Sequence, residues 1–439
     1  KKSKNNLNLG EILEKSVTDH KSLKFKNKKL KNKYKKLKYL KKIFFLVSRR
    51  VYYGKKYDIE LLFEHSIFEI IIFLKKNKIN FVFFHSTPHL PSSIGLYYCC
   101  KILKIKTFIF YKTSFDYLFI VKKDWYTSFI YSFKNPIKEL KNLYNFKKKS
   151  KSIQIVKDLN KKDFISTNFL EIFYYLIKRI IKLIFLKDRI NRDSYFYYVK
   201  NKHKFYEIKL LIYFIVKKLF NKLLYNFYFS TKTINFNKNF IYFSLGIEPE
   251  GTNCPTGGMF HDQIKAVKLI SKSINKDMFI YVKEHPAQFH IKDMPLDAYF
   301  YKNLNYYKKL KKIKNVILLK SNTRSEDCIK NAKLTCTISS TAGWESIATG
   351  KRSIVFSNTW YSGHKNCLVV NDTSILTVKK IKNFIFKDIN VLNIKNENEQ
   401  FINNLGNKLL FAHIWPRLDT PKNLKKMTLN FFRKITEII

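Results

Sequence analysis

The sequence predicts an α/β protein built on parallel sheets, with additional basic helices. Two stretches, residues 79–111 and 240–356, alternate short apolar runs with Gly- or Pro-containing loops and segments of helical spacing. A strand, a loop, a helix and a second strand within about 35 residues form a βαβ unit, whose parallel strands place their following loops at one edge of the sheet. Ligands bind at that edge in open α/β sheets. The 439 residues are enough for two or three domains of roughly 100–200 residues each.

The amino-terminal βαβ pattern is preceded by a shorter apolar run and a helical repeat. The run Ile43–Val47 predicts a short buried strand, and the apolar spacing over residues 58–76 predicts a helix. The unit itself is predicted as a strand over Ile79–His85, the loop STPHLPSS, a helix over Ser93–Leu103 and a strand over Thr107–Tyr111. A ligand-facing loop is therefore expected after the first of these strands.

Residues 240–356 alternate more regularly. Strands are predicted over Phe240–Leu245, Met278–Val282, Val316–Leu319, Leu334–Ile338 and Ser353–Phe356. Helices are predicted over Met259–Ile274, Ser325–Asn331 and Trp344–Thr349. This alternation predicts a doubly wound α/β domain whose loops gather on one edge.

The charge of the chain is strongly unbalanced. Eighty-five Lys and Arg against 32 Asp and Glu give a net charge of +53. Lys, Asn, Ile, Phe and Tyr are over-used together while Gly, Pro and Trp are scarce, which is the pattern of A/T-rich codons and accounts for much of the charge without a ligand. A solvated basic surface and attraction to an anionic membrane or substrate both stay open. Nucleic acid is not expected as a partner.

Several features bear on the membrane and the compartment. No uncharged apolar run reaches the roughly 18 residues of a spanning helix, and six cysteines without metal-ligand spacing fit a reducing cytosol. No signal peptide is expected, because no apolar segment follows the charged start. Residues 1–42 predict a basic helical arm, and Asn168–Leu186 and Phe205–Phe227 predict amphipathic helices that either pack as core or lie on a bilayer. A cytoplasmic protein in peripheral contact with the inner face of the cell membrane is expected.

The strongest local pattern is SSTAGWES, in which a buried strand ends and a helix begins. Ser339, Ser340 and Thr341 can donate to phosphate oxygens at the helix N-terminus, where backbone N–H groups favour an anion. Gly343 permits close approach of the backbone, and Glu345, placed in the first helical turn, can accept from a ribose hydroxyl pair. The alternative is an ordinary helix capped by Ser340 or Thr341.

A second pattern, YVKEHP, leaves another predicted strand at the same edge. His285 can hydrogen-bond a phosphate oxygen, Pro286 fixes the turn and Lys283 adds positive charge. A lone loop histidine is most often an ordinary polar residue. Its pairing with the serine-rich loop at an equivalent strand end favours an anion site.

The loop EPEGTNCPTGG follows the first strand of the same domain. Glu248 and Glu250 point in opposite directions if the chain is extended, so at most one is expected to face a substrate. A carboxylate there can act as a general base or stabilise charge, and a solvated loop acid is the alternative. Asp262 and Gln263 are candidates to cap the following helix. No metal is expected, because no Asp-x-Asp pair follows a strand.

In their order and spacing, FIYFSLGIEPEG, YVKEHP and SSTAGWESIATGKRSIVF resemble the capsule-polysaccharide synthesis family, which includes bacterial Kdo transferases and is similar in outline to CMP-sugar-using GT-B glycosyltransferases. The resemblance covers residues 240–356 well and the amino-terminal half loosely, through TPHLPSS. It implies that His285–Pro286 is the HP motif and Ser339–Ser340 the serine pair that hold the donor phosphate, and that Glu345 is the acid that binds ribose.

The resemblance also implies an architecture, a GT-B-like fold of two Rossmann-like domains facing a cleft. His85, His89 and Ser92 would then lie on the acceptor side. The expected domains are a basic arm over 1–42, an acceptor-side domain with a helical insertion over 43–235, a nucleotide-sugar donor domain over 236–400 and a helical tail over 401–439 that returns to the first domain.

The implied reaction is transfer of a Kdo-like sugar from a CMP-linked donor to an anionic glycolipid or polysaccharide acceptor. Glu250, Glu248 and His285 are the candidate catalytic residues, and no cofactor is expected because the nucleotide sugar is a substrate. Three alternatives stay open: a transferase using a CDP-linked polyol phosphate, a sugar-nucleotide 2-epimerase and a non-catalytic polyanion-binding protein.

Overall fold

The structure is a computed structural model. This structure describes residues 38–51, 56–134, 219–226, 234–248, 250–289, 302–387, 394–414 and 424–439, together with isolated positions between 32 and 230. Residues 1–31 of the predicted basic arm, and most of the two predicted amphipathic helices within residues 168–227, lie outside these ranges. Within them the chain forms one sheet of four strands and one of six, so the predicted α/β class is confirmed.

Two helices, α1 (Lys38–Val51) and α2 (Lys56–Lys76), precede the first sheet. The strand predicted at Ile43–Val47 is therefore wrong. Leu40, Ile43, Phe44 and Val47 recur at helical spacing, and all four are buried in one cluster with residues of α2. A five-residue apolar run does not distinguish a strand from a buried helix turn, and here the spacing of the longer segment decides.

The first sheet begins with β1 (Phe81–Phe84), followed by α3 (Pro91–Leu103), β2 (Lys106–Lys112) and β3 (Leu118–Lys122). Because β1 and β2 are parallel neighbours, the predicted βαβ unit is confirmed. Strand β3 is antiparallel to β2, so this sheet is mixed and only its first pair is parallel. The facing of two Rossmann-like domains across a cleft stays a prediction.

The second sheet is parallel throughout and follows the order β6-β5-β4-β7-β8-β9. Its strands are β4 (Phe240–Ser244), β5 (Phe279–Lys283), β6 (Val316–Leu319), β7 (Leu334–Thr337), β8 (Arg352–Val355) and β9 (Cys367–Val369). The chain proceeds from β4 outward to β6 and then returns past β4 to β7. This change of direction makes the carboxyl ends of β4 and β7 the switch point at which open α/β sheets bind ligands.

Helices cover both faces of this sheet. They are α4 (Gln263–Ser273), α5 (Leu304–Lys311), α6 (Ser325–Asn331), α7 (Thr341–Ala348) and α8 (Ile375–Phe386). Alternate strand residues such as Ile241 and Phe243 belong to the core that includes α4, α5 and α8, while Tyr242 and Tyr281 belong to the opposite core, which includes α6. Helix α4 begins later than predicted because a 3₁₀ turn precedes it and Asp262 caps it by accepting from the Ile264 N–H at 3.2 Å.

The carboxy-terminal segment returns to the first sheet. After α9 (Ile394–Asn404), the strand β10 (Leu409–Phe411) pairs antiparallel with β3, and α10 (Leu424–Thr436) follows. The helical tail expected over 401–439 is thus interrupted by a strand. The predicted domain boundaries stay predictions. No helix among the described residues has the length and apolar character to cross a membrane.

One apolar cluster joins the two sheets. It contains Phe115 from the β2–β3 connection, Leu118 and Leu409 from strands of the first sheet, Trp344 from α7 and Trp360 from the loop after β8. The rings of Phe115 and Trp360 lie 5.5 Å apart in an edge-to-face arrangement, a favourable aromatic geometry. Helix α7, which starts at the serine-rich motif, is therefore anchored in the contact between the sheets.

Candidate functional site

The register of the second sheet brings three strand ends level. Ser244 at the end of β4 pairs with Lys283 of β5 on one side and Thr337 of β7 on the other. The loop that follows β5 (residues 284–289, the histidine loop) and the loop that follows β7 (residues 338–341, the serine loop) therefore leave the same edge, on either side of β4. The structure places His285 and Ser339 in these two loops.

The polar groups of the serine loop are bonded within the protein. The Ser339 hydroxyl donates to the Thr252 carbonyl oxygen at 2.7 Å, which joins this loop to the one after β4. Ser340 caps α7: its Oγ accepts from the Ala342 N–H at 3.3 Å, and its carbonyl oxygen accepts from the Tyr361 hydroxyl at 2.6 Å. Helix α7 accordingly begins at Thr341, three residues before the predicted start.

The structure gives the setting of Gly343 and corrects the position of Glu345. A Cβ on Gly343 would lie 2.3 Å from the Tyr361 hydroxyl oxygen and 2.7 Å from Ser353 Oγ, so packing inside the protein requires a glycine at this position. Glu345 is the fifth residue of the helix and lies in its second turn, because the helix starts early. It is half-buried. Burial raises the pKa of the Tyr361 hydroxyl, and the charge of Glu345 adds to the effect.

The histidine loop combines a buried lysine with a neutral imidazole. The Lys283 ammonium is buried and donates to Ser325 Oγ at 2.9 Å, and Tyr242 donates to the same oxygen at 3.2 Å. Burial lowers the pKa of His285 to about 3, and the charges of Lys283 and Lys302 add to the effect. His285 is therefore neutral at physiological pH and offers a hydrogen bond rather than a charge. Pro286 opens a 3₁₀ turn that ends at Phe289.

The two acids of the loop after β4 differ in exposure. Glu248 is fully buried, and its backbone N–H and carbonyl both bond the side chain of Gln288, at 2.7 and 3.0 Å. Glu250 is half-buried, and its Oε2 accepts from the Thr252 hydroxyl at 2.9 Å. Because a general base must reach its substrate, Glu250 is the better placed of the two.

The predicted acceptor-side residues fall into different settings. His85 is exposed, while Ser92 is buried as the second residue of α3. His89 is half-buried, with Nδ1 at 2.8 Å from the Thr87 carbonyl oxygen. Gly251 packs against this loop, since a Cβ there would lie 3.2 Å from His89 Nδ1. The loop after β1 therefore contacts the loop that carries Glu250.

Sequence patterns missed several residues at this edge. The Tyr111 hydroxyl lies close to Ser339 from the first sheet, and burial raises its pKa to about 12. Lys122 is buried and donates to the Asn358 carbonyl oxygen at 3.0 Å. Both sit within strands of the first sheet and resemble core positions, so no local signal marks them. Ser325 could have been found, because it begins the helix after β6 at the same edge.

The loop after β8 packs against α7. Tyr361 and His364 are buried, and both rings lie near Trp344. Within the part of the chain that the structure describes, no three His, Cys, Asp or Glu residues are grouped as metal ligands.

Comparison with known proteins gives one family match. The model of a family described as "Capsule polysaccharide biosynthesis protein" matches residues 140–365, which include the histidine and serine loops and α7. No curated protein sequence matches the chain.

Three solved structures are similar to parts of the chain. The KpsC beta Kdo 2,7 transferase of Thermosulfurimonas dismutans is 13% identical, with 52% of this chain and 66% of that chain covered and a TM-score of 0.26. The KpsC beta Kdo 2,4 transferase of the same organism is 12% identical, with 43% and 63% covered and a TM-score of 0.23. The chain thus spans just under two thirds of the length of each KpsC structure.

The third structure is the Methanocaldococcus jannaschii UDP-GlcNAc 2-epimerase in complex with UDP-GlcNAc and UDP. It is 14% identical, with 79% of this chain and 80% of that chain covered and a TM-score of 0.30. Superpositions of this quality assign no residue roles to the chain.

Proposed function

The chain belongs to the capsule polysaccharide biosynthesis family, and from that premise we propose that it is a glycosyltransferase using a nucleotide-linked sugar. The observation that carries the proposal is the position of His285 and Ser339, in loops that leave one sheet edge on either side of β4. A switch-point edge with a helix N-terminus suits a phosphate group. The acceptor would be an anionic glycolipid or surface polysaccharide.

The donor would be a CMP-linked, Kdo-like sugar. The neutral imidazole of His285 would donate a hydrogen bond to the phosphate, and Lys283 and the N-terminus of α7 would add positive potential. Pro286 would fix the loop, Ser339, Ser340 and Thr341 would line the phosphate side, and Glu345 would accept from ribose. Because Ser339 and Ser340 are bonded internally, phosphate would have to replace or share those bonds.

The transfer step needs one base and one leaving group. The acceptor hydroxyl oxygen would bond to the anomeric carbon, the bond from that carbon to the phosphate oxygen would break, and CMP would leave. Glu250 would take the acceptor proton, since Glu248 is fully buried. His89 lies beside the loop that carries Glu250, and His85 directly follows β1, so the acceptor would approach from the first sheet. No cofactor or metal is invoked.

The alternatives are separated by nucleotide binding and products. We would titrate CMP, CDP and UDP against the purified protein and then assay transfer from CMP-Kdo. Preferential binding of CMP with release of CMP on transfer is expected. Preference for CDP would favour the polyol-phosphate transferase, preference for UDP the 2-epimerase, and binding of none, with retention on an anionic polymer, the polyanion-binding protein.

We also propose peripheral attachment to the anionic inner face of the cell membrane. Helix α10 supports it, because Leu429 and Phe432 are 63% and 61% exposed on one side of the helix, close to the exposed cations Lys425 and Arg433. A helix with this pattern can lie in a lipid interface. Each cation near an anionic surface contributes about 1 kcal/mol.

Co-sedimentation with phosphatidylglycerol vesicles across a salt series tests the attachment. Binding at low salt that high salt reverses is expected, with weaker binding for Leu429→Ser/Phe432→Ser. Absence of binding at low salt would contradict the attachment, and the net charge of +53 would then be explained by codon usage. Binding that survives high salt would indicate inserted apolar helices instead.

A further inference from the structure

One buried lysine bonds to both the loop after β4 and the histidine loop. Lys302 directly precedes Asn303, the cap of α5, and its side chain is 1% exposed. Its ammonium donates to the Gly246 carbonyl oxygen at 2.6 Å and to Glu284 Oε1 at 2.7 Å. A single cation therefore joins two loops that follow neighbouring strands.

The carboxylate that receives this bond is itself held on every side. The Glu284 side chain is fully buried, and Oε1 also accepts from the His285 backbone N–H at 2.8 Å. Oε2 accepts from the Tyr307 hydroxyl at 2.8 Å, and the Glu284 N–H donates to the Tyr225 hydroxyl at 3.3 Å. The peptide unit that leads into His285 is thus fixed from α5 and from the helix that carries Tyr225.

Gly246 is fixed in the same way. Its N–H donates to Gln263 Oε1 at 2.8 Å, and its carbonyl accepts from Gln263 Nε2 at 3.2 Å as well as from Lys302. A Cβ at this position would lie 2.3 Å from Asn253 Oδ1, so a side chain would force the buried Asn253 side chain to move. Two residues downstream lies Glu248, and beyond it Glu250.

Stability alone explains this ion pair poorly. Removing two charges from water is costly, and well-packed apolar residues often replace a buried pair without loss of stability. An ion pair adds geometric specificity, because the ammonium has to hydrogen-bond two particular oxygen atoms. Here those atoms belong to two loops that both carry candidate site residues.

We propose that Lys302 is a positioning residue for the nucleotide site: through Glu284 and Gly246 it holds the His285 imidazole and the Glu250 loop in the relation that nucleotide binding requires. The inference rests on the proposed function, since it assumes that the phosphate of a nucleotide binds at His285. Lys302 itself is buried beneath these loops and would act through Glu284 and Gly246 rather than on the nucleotide.

The first test is CMP binding by calorimetry. Lys302→Met should weaken the affinity about 10- to 100-fold, because small displacements of binding groups cost that much, and Lys302→Arg should regain part of the loss. Lys434→Met is the matched control: Lys434 is equally buried and donates to the Leu409 carbonyl oxygen at 3.3 Å, in the first sheet. It should leave CMP affinity unchanged.

The second test separates positioning from folding. Lys302→Met/Glu284→Gln removes both charges and keeps an amide oxygen that accepts from the His285 N–H, while the amide NH2 can donate to the Tyr307 hydroxyl oxygen, so it should fold and still bind CMP weakly. NMR titration of the His285 imidazole should show its pKa rising in Lys302→Met, because a positive neighbour is lost. Unchanged CMP affinity together with an unchanged His285 pKa in Lys302→Met would overturn the inference.

Failure of the proposed function gives a different result. If the wild-type protein binds no CMP, the nucleotide assignment fails first, and amide hydrogen exchange decides about Lys302. Faster amide exchange at Gly246 and His285 in Lys302→Met, with no change in Lys434→Met, would support the positioning role of Lys302. Equal exchange rates at these amides in both variants would show that Lys302 does not hold the two loops.

Discussion

The serine loop and the histidine loop follow strands on either side of β4, yet the contacts that hold them come from different distances along the chain. Ser340 caps the helix that follows it, and Tyr361, which bonds its carbonyl, is 21 residues away. Glu284 is held by Lys302, Tyr307 and the more distant Tyr225. The cap of α7 is therefore a local pattern in the sequence, whereas Ser339, which donates to Thr252 87 residues away, and Glu284 depend on partners that only the fold brings near.

The largest effect should come from the histidine loop. His285→Ala should reduce sugar transfer by roughly 100- to 1000-fold, because one preorganised hydrogen-bond donor to the phosphate is lost. Steady-state transfer from CMP-Kdo measures this. His413→Ala, a half-buried histidine after β10, is the control and should retain activity. Full activity in His285→Ala would show that the imidazole does not take part in sugar transfer.

The helix that follows the serine loop should respond through packing. Gly343→Ala should lower the free energy of unfolding by about 1–3 kcal/mol, because its Cβ would overlap the Tyr361 hydroxyl and Ser353. Chemical denaturation measures the loss. Gly343→Ala/Tyr361→Phe removes the hydroxyl and should recover part of it, since the two residues are in contact. An unchanged free energy in Gly343→Ala would mean that α7 moves without cost.

The pH dependence of the free energy of unfolding should reflect the lowered pKa of His285 in the histidine loop. The His285 pKa is about 3, against an ordinary value of 6.5, so the unfolded chain binds this proton more readily than the folded protein. The stability that the neutral imidazole contributes is present above pH 6.5 and is lost as the pH falls towards 3. Between neutral pH and about pH 4, the free energy of unfolding should fall more steeply for wild type than for His285→Asn, as measured by urea denaturation. Parallel curves would contradict burial of the ring.

The smallest effect should come from the second turn of α7. Glu345→Gln should weaken CMP binding by about 1 kcal/mol, because an amide accepts from ribose hydroxyls less strongly than a carboxylate. Calorimetry measures it, with Glu69→Gln in α2 as the control. Binding to anionic vesicles should not change. Unaltered CMP affinity would show that Glu345 does not bind the nucleotide.

Much of the second sheet followed from the sequence because its strands are continuous apolar runs between Gly- and Pro-containing loops. Parallel strands buried on both faces have this pattern, and their carboxyl ends then share one edge, which is why the histidine and serine loops could be expected together. Helix starts were less accurate, since Ser340 and Asp262 cap α7 and α4 through local hydrogen bonds. The strand predicted at Ile43–Val47 failed because a short apolar run also fits a buried helix face.

By itself, the sequence determined the α/β class, the βαβ unit around α3, and the residue types that end β5 and β7. Only the tertiary structure decided that Lys302 ties Glu284 to Gly246, that Tyr111 meets Ser339 from the other sheet, and that Tyr361 occupies the space a side chain at Gly343 would need. The physical reason is range. Strand and helix patterns arise from neighbours within a few residues, while a buried ion pair or a ring against a glycine joins positions whose separation along the chain carries no local signal.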